Sequence, residues 1–323
     1  MQKKKVFITR VVPGESIKQL RKKGYQVGVW KEDKVIPRKL LLEKVKGIDG
    51  LLCLLTDKID AELMDAAGPN LKVIANYAVG FDNVDIEAAK ERKIAVSNTP
   101  GVLDGSVAEH SFALMMTMTR KIVPADSFTR AGKYKGWDPD LYMGNFMHEK
   151  TLGVVGTGRI GSRVVASATL GYNMNVIYTD VARNVALEKK YKAKYMKLPA
   201  LLKKADYISL HVPLLPTTHH LIGEKELRMM KKTAYLVNTA RGPIIDEKAL
   251  VKALRSGQIR GAALDVLEKE PKLSPGLARL ENVVLTPHIA SATEETRTKM
   301  SDLAVSNIIA RLSGKRMPTR VKI

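Results

Sequence analysis

The chain has 323 residues, 45% of them hydrophobic, a single cysteine, and a formal charge of +21 from 54 basic and 33 acidic side chains. That length exceeds one ordinary core and predicts two domains of roughly 100 to 200 residues each, and no apolar run approaches the ~18 residues of a membrane span. Met1 to Val12 carries neither the apolar core nor the small-residue cleavage site of a signal peptide, so a cytoplasmic protein is expected, and Cys53 in GLLCLL reads as a buried strand residue without a disulfide partner.

In chain order, the opening residues alternate strand and helix. Strands are predicted at Lys5 to Thr9, Gln26 to Trp30, Gly50 to Leu54, Lys72 to Ala75 and Ile94 to Ser97, with a polar helix at Glu15 to Lys23 and further helices between the later strands. Such alternation implies a parallel sheet. Thr99-Pro100-Gly101 breaks this unit, and Asp104 to Arg120 reads as a long, largely apolar helix that leaves the first domain. Ile122 to Glu149 follows as a polar, glycine-bearing, aromatic stretch with no assigned element. A second alternation then opens, with strands at Gly153 to Val155, Asn175 to Tyr178, Tyr207 to Leu210, Ala234 to Asn238, Gly261 to Leu264 and Val283 to Leu285. The last helix, Glu294 to Ser313, has no strand after it and is expected to pack back on the first domain. The first domain is then discontinuous, 1–100 with 291–323, around a dinucleotide-binding domain at 101–290. No solenoid repeat or low-complexity segment breaks the pattern.

The segment Thr151 to Asp180 combines an apolar strand, a glycine fingerprint, a helix and a strand-ending acid within about 30 residues, as a mononucleotide-binding βαβ unit requires. Gly156, Gly158 and Gly161 supply the tight turn, the close backbone approach and the helix packing. The helix that begins near Arg159 and Ile160 would aim its unpaired N–H groups and positive dipole end at a pyrophosphate. Asp180 would accept from the adenosine ribose hydroxyls and, by repelling a ribose phosphate, favours NAD(H), with NADP(H) possible because Arg183 lies close behind. The basic residues are spread through KQLRKKG, EKKYKAKYMK, LKKAD and MKKTA with few interleaved aromatics. They read as solvated helix faces that steer anionic substrates, and argue against a nucleic-acid partner.

Three late strand ends hold polar groups that a core would not want: Asn238 to Gly242, Asp265 with Glu270-Pro271, and Thr286 to Ser291. Open parallel sheets bind ligands at such ends. Reducing a keto acid needs a cation for the carboxylate, a proton donor for the developing alkoxide, and a group that holds the donor in its working state. Arg241 can grip a carboxylate by two parallel hydrogen bonds, His288 can give and take the proton, and Glu270 can hold the other ring nitrogen. Asp265 would contact the nicotinamide amide or stabilise its strand end. Singly, a surface Arg, a core-edge His, a solvated Glu and a capping Asp are equally ordinary. No metal enters this chemistry.

The segments NYAVGFDNVD (76–85), SNTPGVL (97–103), GVVGTGRIG (153–161), HVPLLPTTHHLI (211–222), MKKTAYLVNTARGPIIDEKAL (230–250), AALDVLEKEP (262–271) and NVVLTPHIAS (282–291) together resemble the D-isomer-specific 2-hydroxyacid dehydrogenase family over essentially the whole chain. The resemblance implies an α/β protein with two Rossmann-like parallel-sheet domains, a flavodoxin-like substrate domain and an NAD-binding domain with a cleft between them. It implies catalysis by Arg241, Glu270 and His288, and a carboxylate pocket from the backbone of Ala78, Val79 and Gly80 beside an apolar wall at Leu54. It places Val107, Thr239 and Ala240 at the nicotinamide, Arg159 and Ile160 at the pyrophosphate, and His211, Val212, Pro213 and Thr218 along the adenosine half. It also implies a homodimer through the helix and loop at 105–149, where Trp137 either anchors the dimer or reaches the neighbouring subunit's substrate.

Within the family, ANYAVGFDNVD and MKKTAYLVNTARG look most like the glyoxylate and hydroxypyruvate reductases. Val79 stands where phosphite-oxidising relatives carry lysine, and no regulatory domain is expected after Ile323, unlike the longer phosphoglycerate dehydrogenases. GSVAEHSFAL departs from the reductase branch toward phosphoglycerate and formate dehydrogenases, and Asp180 departs from NADPH-preferring reductases. A D-lactate or other D-2-hydroxyacid dehydrogenase, or a dinucleotide-sensing scaffold of the same fold, are the alternatives.

Overall fold

A computed structural model of the chain describes residues 3–322. Two compact units emerge, Met1–Leu103 with Ala292–Ile323, and Asp104–Ser291. The discontinuity follows from the last helix, whose buried Met300, Ala304, Val305 and Ile308 belong to the first unit's core.

In the first unit, β1 (Lys5–Ile8), α1 (Ser16–Lys22), β2 (Gln26–Val29), α2 (Arg38–Lys44), β3 (Gly50–Cys53), α3 (Ala61–Ala67), β4 (Val73–Asn76), α4 (Ile86–Glu91) and β5 (Ala95–Ser97) alternate as the sequence pattern requires. The five strands are all parallel in the order β2-β1-β3-β4-β5, the doubly wound flavodoxin-like order. β3 and β4 are buried along their whole length, which is why both read as unbroken apolar runs. Asp60 and Asp85 cap α3 and α4 by accepting from Leu63 N and Ala88 N.

The second unit opens with α5 (Asp104–Thr119) and α6 (Ile122–Arg130), followed by β6 (Thr151–Val155), α7 (Arg159–Tyr172), β7 (Asn175–Thr179), α8 (Val185–Tyr191), β8 (Lys194–Tyr195), α9 (Leu198–Lys204), β9 (Tyr207–Leu210), α10 (Glu224–Met229), β10 (Tyr235–Asn238), α11 (Glu247–Arg255), β11 (Gly261–Leu264) and β12 (Val283–Leu285). The remaining helix, α12 (Glu294–Leu312), packs in the first unit on α1, β3 and β4. The seven strands of the second unit are parallel in the order β12-β11-β10-β9-β6-β7-β8, so the strand order reverses between β6 and β9. Phe112, Met115 and Met118 of α5 join Val164, Val165 and Ala168 of α7 in one core layer, while Leu201, Leu227, Leu250 and Leu254 fill the other face.

Two elements depart from expectation. α6 lies inside the stretch that carried no assigned element; it buries no residue, so the apolar face that usually marks a helix has nothing within the unit to cover it. β8 is a two-residue, exposed edge strand, too short to show any period. No helix among the described residues is long and apolar enough to cross a membrane.

Gly161 shows how tightly α7 is seated on the turn after β6, because a Cβ there would lie 2.0 Å from the Gly156 carbonyl oxygen. Gly161→Ala is expected to cost at least about 2 kcal/mol, since backbone must move to admit the methyl group. A lowered thermal midpoint together with weakened dinucleotide binding is the expected result, read by calorimetry.

Candidate active site

The turn after β6 is built for a ligand that comes close to backbone. Gly156 adopts φ +91°, and a Cβ on it would meet the His211 carbonyl 2.6 Å away, so only glycine fits where β6 and β9 run side by side. Gly158, at the N-terminus of α7, has no atom within 4 Å of where its Cβ would stand, and no side chain caps the helix there. The α7 N–H groups therefore face an open cradle that a side chain at Gly158 would fill, which fits a pyrophosphate. Arg159 is exposed and Ile160 half-buried at its rim, and Gly161 is buried behind it.

Asp180, at the end of β7, accepts from Thr157 N at 2.6 Å and Thr157 Oγ1 at 2.8 Å through Oδ2, while Oδ1 accepts from Val181 N at 2.7 Å. The carboxylate is thus fixed at the edge of the same turn. Beyond β9, the His211 ring pairs with Ser209 Oγ at 2.8 Å, and desolvation lowers its pKa to about 4, so it is neutral at physiological pH. Val212 is half-buried and Pro213 exposed. Thr218 folds this loop on itself, its hydroxyl donating to Pro213 O at 2.6 Å and accepting from Leu215 N at 2.8 Å.

The ends of β10, β11 and β12 hold the candidate reactive groups. Asn238, fully buried, donates to Arg241 O at 2.8 Å and accepts from Ala240 N at 3.0 Å, which shapes the loop that carries Arg241. Arg241 Nη1 donates to Ala240 O at 2.8 Å. Thr239 Oγ1 lies 3.0 Å from Ser111 Oγ, whose hydroxyl donates to Val107 O at 2.8 Å, so Thr239 and the buried Val107 are joined through one serine of α5. Gly242 presses on the next loop: a Cβ there would lie 1.8 Å from Leu267 O.

Asp265 is the hub of the neighbouring turn. Its carboxylate accepts from Thr286 Oγ1 at 2.6 Å, Ile289 N at 2.8 Å and Ala290 N at 2.8 Å, and its carbonyl accepts from His288 N at 2.8 Å. His110 of α5 braces both partners, with Nε2 3.2 Å from Thr286 Oγ1 and 3.4 Å from Asp265 Oδ1. Burial alone would push the Asp265 pKa up, but hydrogen bonds from His110, Thr286 and the two backbone N–H groups bring it below the usual carboxylate range. These contacts tie the end of β11 to the turn at residues 286–290. They hold the backbone on both sides of His288, which adopts φ +56°, a left-handed conformation uncommon outside glycine.

Glu270 Oε2 lies 3.0 Å from His288 Nδ1, and Glu270 Oε1 accepts from Leu267 N at 3.1 Å. Burial raises the Glu270 pKa, yet the bond and charge of His288, with a smaller contribution from Arg241, bring it below the ordinary glutamate value. Glu270 is therefore an acceptor at neutral pH. It becomes protonated only as pH falls below the ordinary glutamate range, and the acceptor is lost there.

In the first unit, Asp57 accepts from Leu54 N at 2.8 Å, and Asn83 Nδ2 donates to Leu54 O at 3.1 Å. The carbonyls of Ala78, Val79 and Gly80 accept from Thr99 N, Asn98 Nδ2 and Asn76 Nδ2 respectively. Among the described residues, the N–H groups of Ala78, Val79 and Gly80 have no acceptor within the chain, which leaves them available to an anion.

Reasoning from residue chemistry overlooked His110 and Asn98, and it gave no individual role to Asn238 and Thr286 although it picked out the strand ends on which they stand. For Asn238 the strand-end position was a usable signal; a histidine inside an apolar helix gives none. Val107 and Thr218 came from family resemblance alone, because neither a buried valine nor a loop threonine announces a ligand.

Residues 112–290 match the family described as D-isomer specific 2-hydroxyacid dehydrogenase, NAD binding domain. The glyoxylate reductase of Thermococcus litoralis is 49% identical over 99% of this chain and 97% of its own length, and that of Thermofilum pendens is 48% identical over 99% and 95%. Among solved structures, a protein from Thermus thermophilus superposes with a TM-score of 0.93 at 43% identity, covering 98% of this chain and 100% of its own. A glyoxylate reductase from Paecilomyes thermophila does so with 0.88 at 33% identity, covering 99% of both chains. A fold of two parallel sheets, a dinucleotide cradle, a histidine–glutamate pair and these full-length relatives agree: the chain belongs to the D-isomer-specific 2-hydroxyacid dehydrogenases, oxidoreductases that use a nicotinamide dinucleotide on 2-oxo and 2-hydroxy acids, and it lies on the glyoxylate reductase branch.

Proposed function

We propose that the protein reduces glyoxylate and hydroxypyruvate with NADH to the corresponding 2-hydroxy acids, D-configured where the product is chiral. The observation that carries this reading is the His288–Glu270 pair. With Nδ1 engaged by the Glu270 carboxylate, the ring is held in one orientation and Nε2 is the nitrogen left to move a proton. When bound, the nicotinamide supplies the hydride to the carbonyl carbon. His288 gives its Nε2 proton to the oxygen that becomes the hydroxyl, and takes a proton back in the reverse direction. Arg241 binds the substrate carboxylate in two parallel hydrogen bonds and orients the adjacent carbonyl. Leu54 and the N–H groups of residues 78–80 serve the same substrate as apolar wall and carboxylate donors.

NADH is preferred over NADPH because Asp180, fixed by Thr157 and Val181, would meet a ribose 2′-phosphate with like charge. Val107, Thr239 and Ala240 line the nicotinamide, while Arg159, Ile160, His211, Val212, Pro213 and Thr218 follow the rest of the dinucleotide. The chain works in the cytoplasm as a homodimer. Ile122, Val123, Tyr134, Trp137, Met143 and Phe146 are each more than half exposed within one continuous segment, more apolar surface than a monomer ordinarily leaves wet.

Initial rates of NADH and NADPH oxidation with glyoxylate, hydroxypyruvate, pyruvate and a bulkier 2-oxo acid test the reading. Turnover of the two small acids with NADH supports it. Preference for pyruvate or bulkier acids moves the chain to a lactate-type activity, and tight NADH binding without turnover of any acid would favour a sensing scaffold.

His288→Gln is expected to lower kcat by roughly 10²-fold or more with NADH affinity kept, because the proton donor is gone. An equal collapse of NADH binding would make the residue structural. Asp265→Asn retains the shape but replaces one acceptor oxygen with a donor group against the 286–290 turn. A loss of roughly tenfold or more in kcat is expected, with the melting temperature nearly held; unchanged kcat would deny that the turn positions His288. Sedimentation velocity is expected to report a dimer, and Trp137→Glu to shift it toward monomer.

A further inference from the structure

Close behind Asp180, a second charged pair has no part in the reaction. Arg183 donates to Glu188 through Nε at 3.0 Å and Nη2 at 2.6 Å, a two-point grip on one carboxylate. Glu188 is itself held, because the hydroxyl of the fully buried Tyr178 donates to Oε1 at 2.7 Å. The same Tyr178 oxygen accepts from Asn184 N at 2.6 Å, and Asn184 Nδ2 donates to Thr157 O at 3.3 Å. Thr157 in turn donates to Asp180. One unbroken set of hydrogen bonds therefore runs from the ribose-side acid to the Arg183 grip.

An arginine beside the acid that ends this strand is the group that accommodates a ribose 2′-phosphate in NADP-binding folds. Arg183 stands at that place in sequence, and its chain is strongly basic overall. Left to itself, it would offer the 2′-phosphate a two-point anion site. Its side chain is 64% exposed, and exposed ion pairs as a class are weak. This one differs in that its acid is only 17% exposed and already fixed by tyrosine, so Arg183 alone gives up side-chain freedom to make it.

We propose that Glu188 determines cofactor choice by withholding Arg183 from the 2′-phosphate, so that NADP(H) is rejected by two acids, one repelling and one sequestering. The inference rests on the NAD preference argued above. It makes Arg183 a latent phosphate site: the cation needed for NADPH is present and engaged elsewhere.

Calorimetric titration of the full chain with NADH and NADPH tests it in wild type, Glu188→Gln, Arg183→Ala and the double variant. Glutamine keeps an acceptor for Tyr178 but loses the charge that holds Arg183. NADPH affinity is expected to rise roughly fivefold in Glu188→Gln, the upper range for releasing one surface ion pair. NADH affinity should stay within about twofold, which also reports that the site remains folded. In the double variant the gain should disappear, and Arg183→Ala alone should leave NADPH affinity at the wild-type value. A gain that persists in the double variant would assign the effect to charge removal, and no gain in Glu188→Gln would show that Arg183 cannot reach the phosphate; either overturns the proposal. A loss of NADPH affinity in Arg183→Ala would overturn it too, without needing the glutamine variant. The wild-type NADH-to-NADPH ratio judges the NAD preference separately.

Discussion

An ionised carboxylate withdrawn from water costs several kcal/mol unless its lone pairs are met, and in Asp265 they are met by the turn that carries His288. The requirement works in both directions. The turn satisfies the acid, and the acid dictates where Thr286, Ile289 and Ala290 must lie. A histidine at positive φ would relax if its neighbours were free, but here both flanks are tied to the end of β11. His110 closes the arrangement from α5, so the position of the proposed proton donor is inherited from a helix far away in sequence.

The sheet order explains why chemistry of different kinds gathers on one edge. Reversal between β6 and β9 leaves a gap at the carboxyl ends of adjacent strands, and the Gly156 turn and His211 occupy it. β10, β11 and β12 follow on one side of β9, bringing the Arg241, Asp265 and His288 segments in succession along the same edge. The Gly156 turn and these three loops therefore share one edge of the sheet.

What the sequence revealed tracks how local each constraint is. Gly156, Gly158 and Gly161 were legible because each answers a demand of backbone geometry within one turn, and the structure supplies the three separate reasons. The buried strands of both units were legible because buried parallel strands are continuous apolar runs, whereas the two-residue edge strand β8 was not. α6 was not, since its apolar side chains face outward and give no inward period. The function of Asp265 stayed ambiguous because its partners come from three segments, and His110 carried no signal because a brace is defined only by what it touches. The inwardly held carbonyls of residues 78–80 depend likewise on Asn76 and Asn98, which no spacing rule connects.

The absence of a side chain at Gly242 has a mechanical meaning. With its backbone wedged against Leu267, the loop that bears Arg241 cannot shift without displacing the segment that leads to Glu270. Glu247 and Glu268 lace the same two segments together, each accepting from the other's backbone N–H. Arg241 and Glu270 thus stand on two segments fixed to each other, so the placement of one constrains the placement of the other.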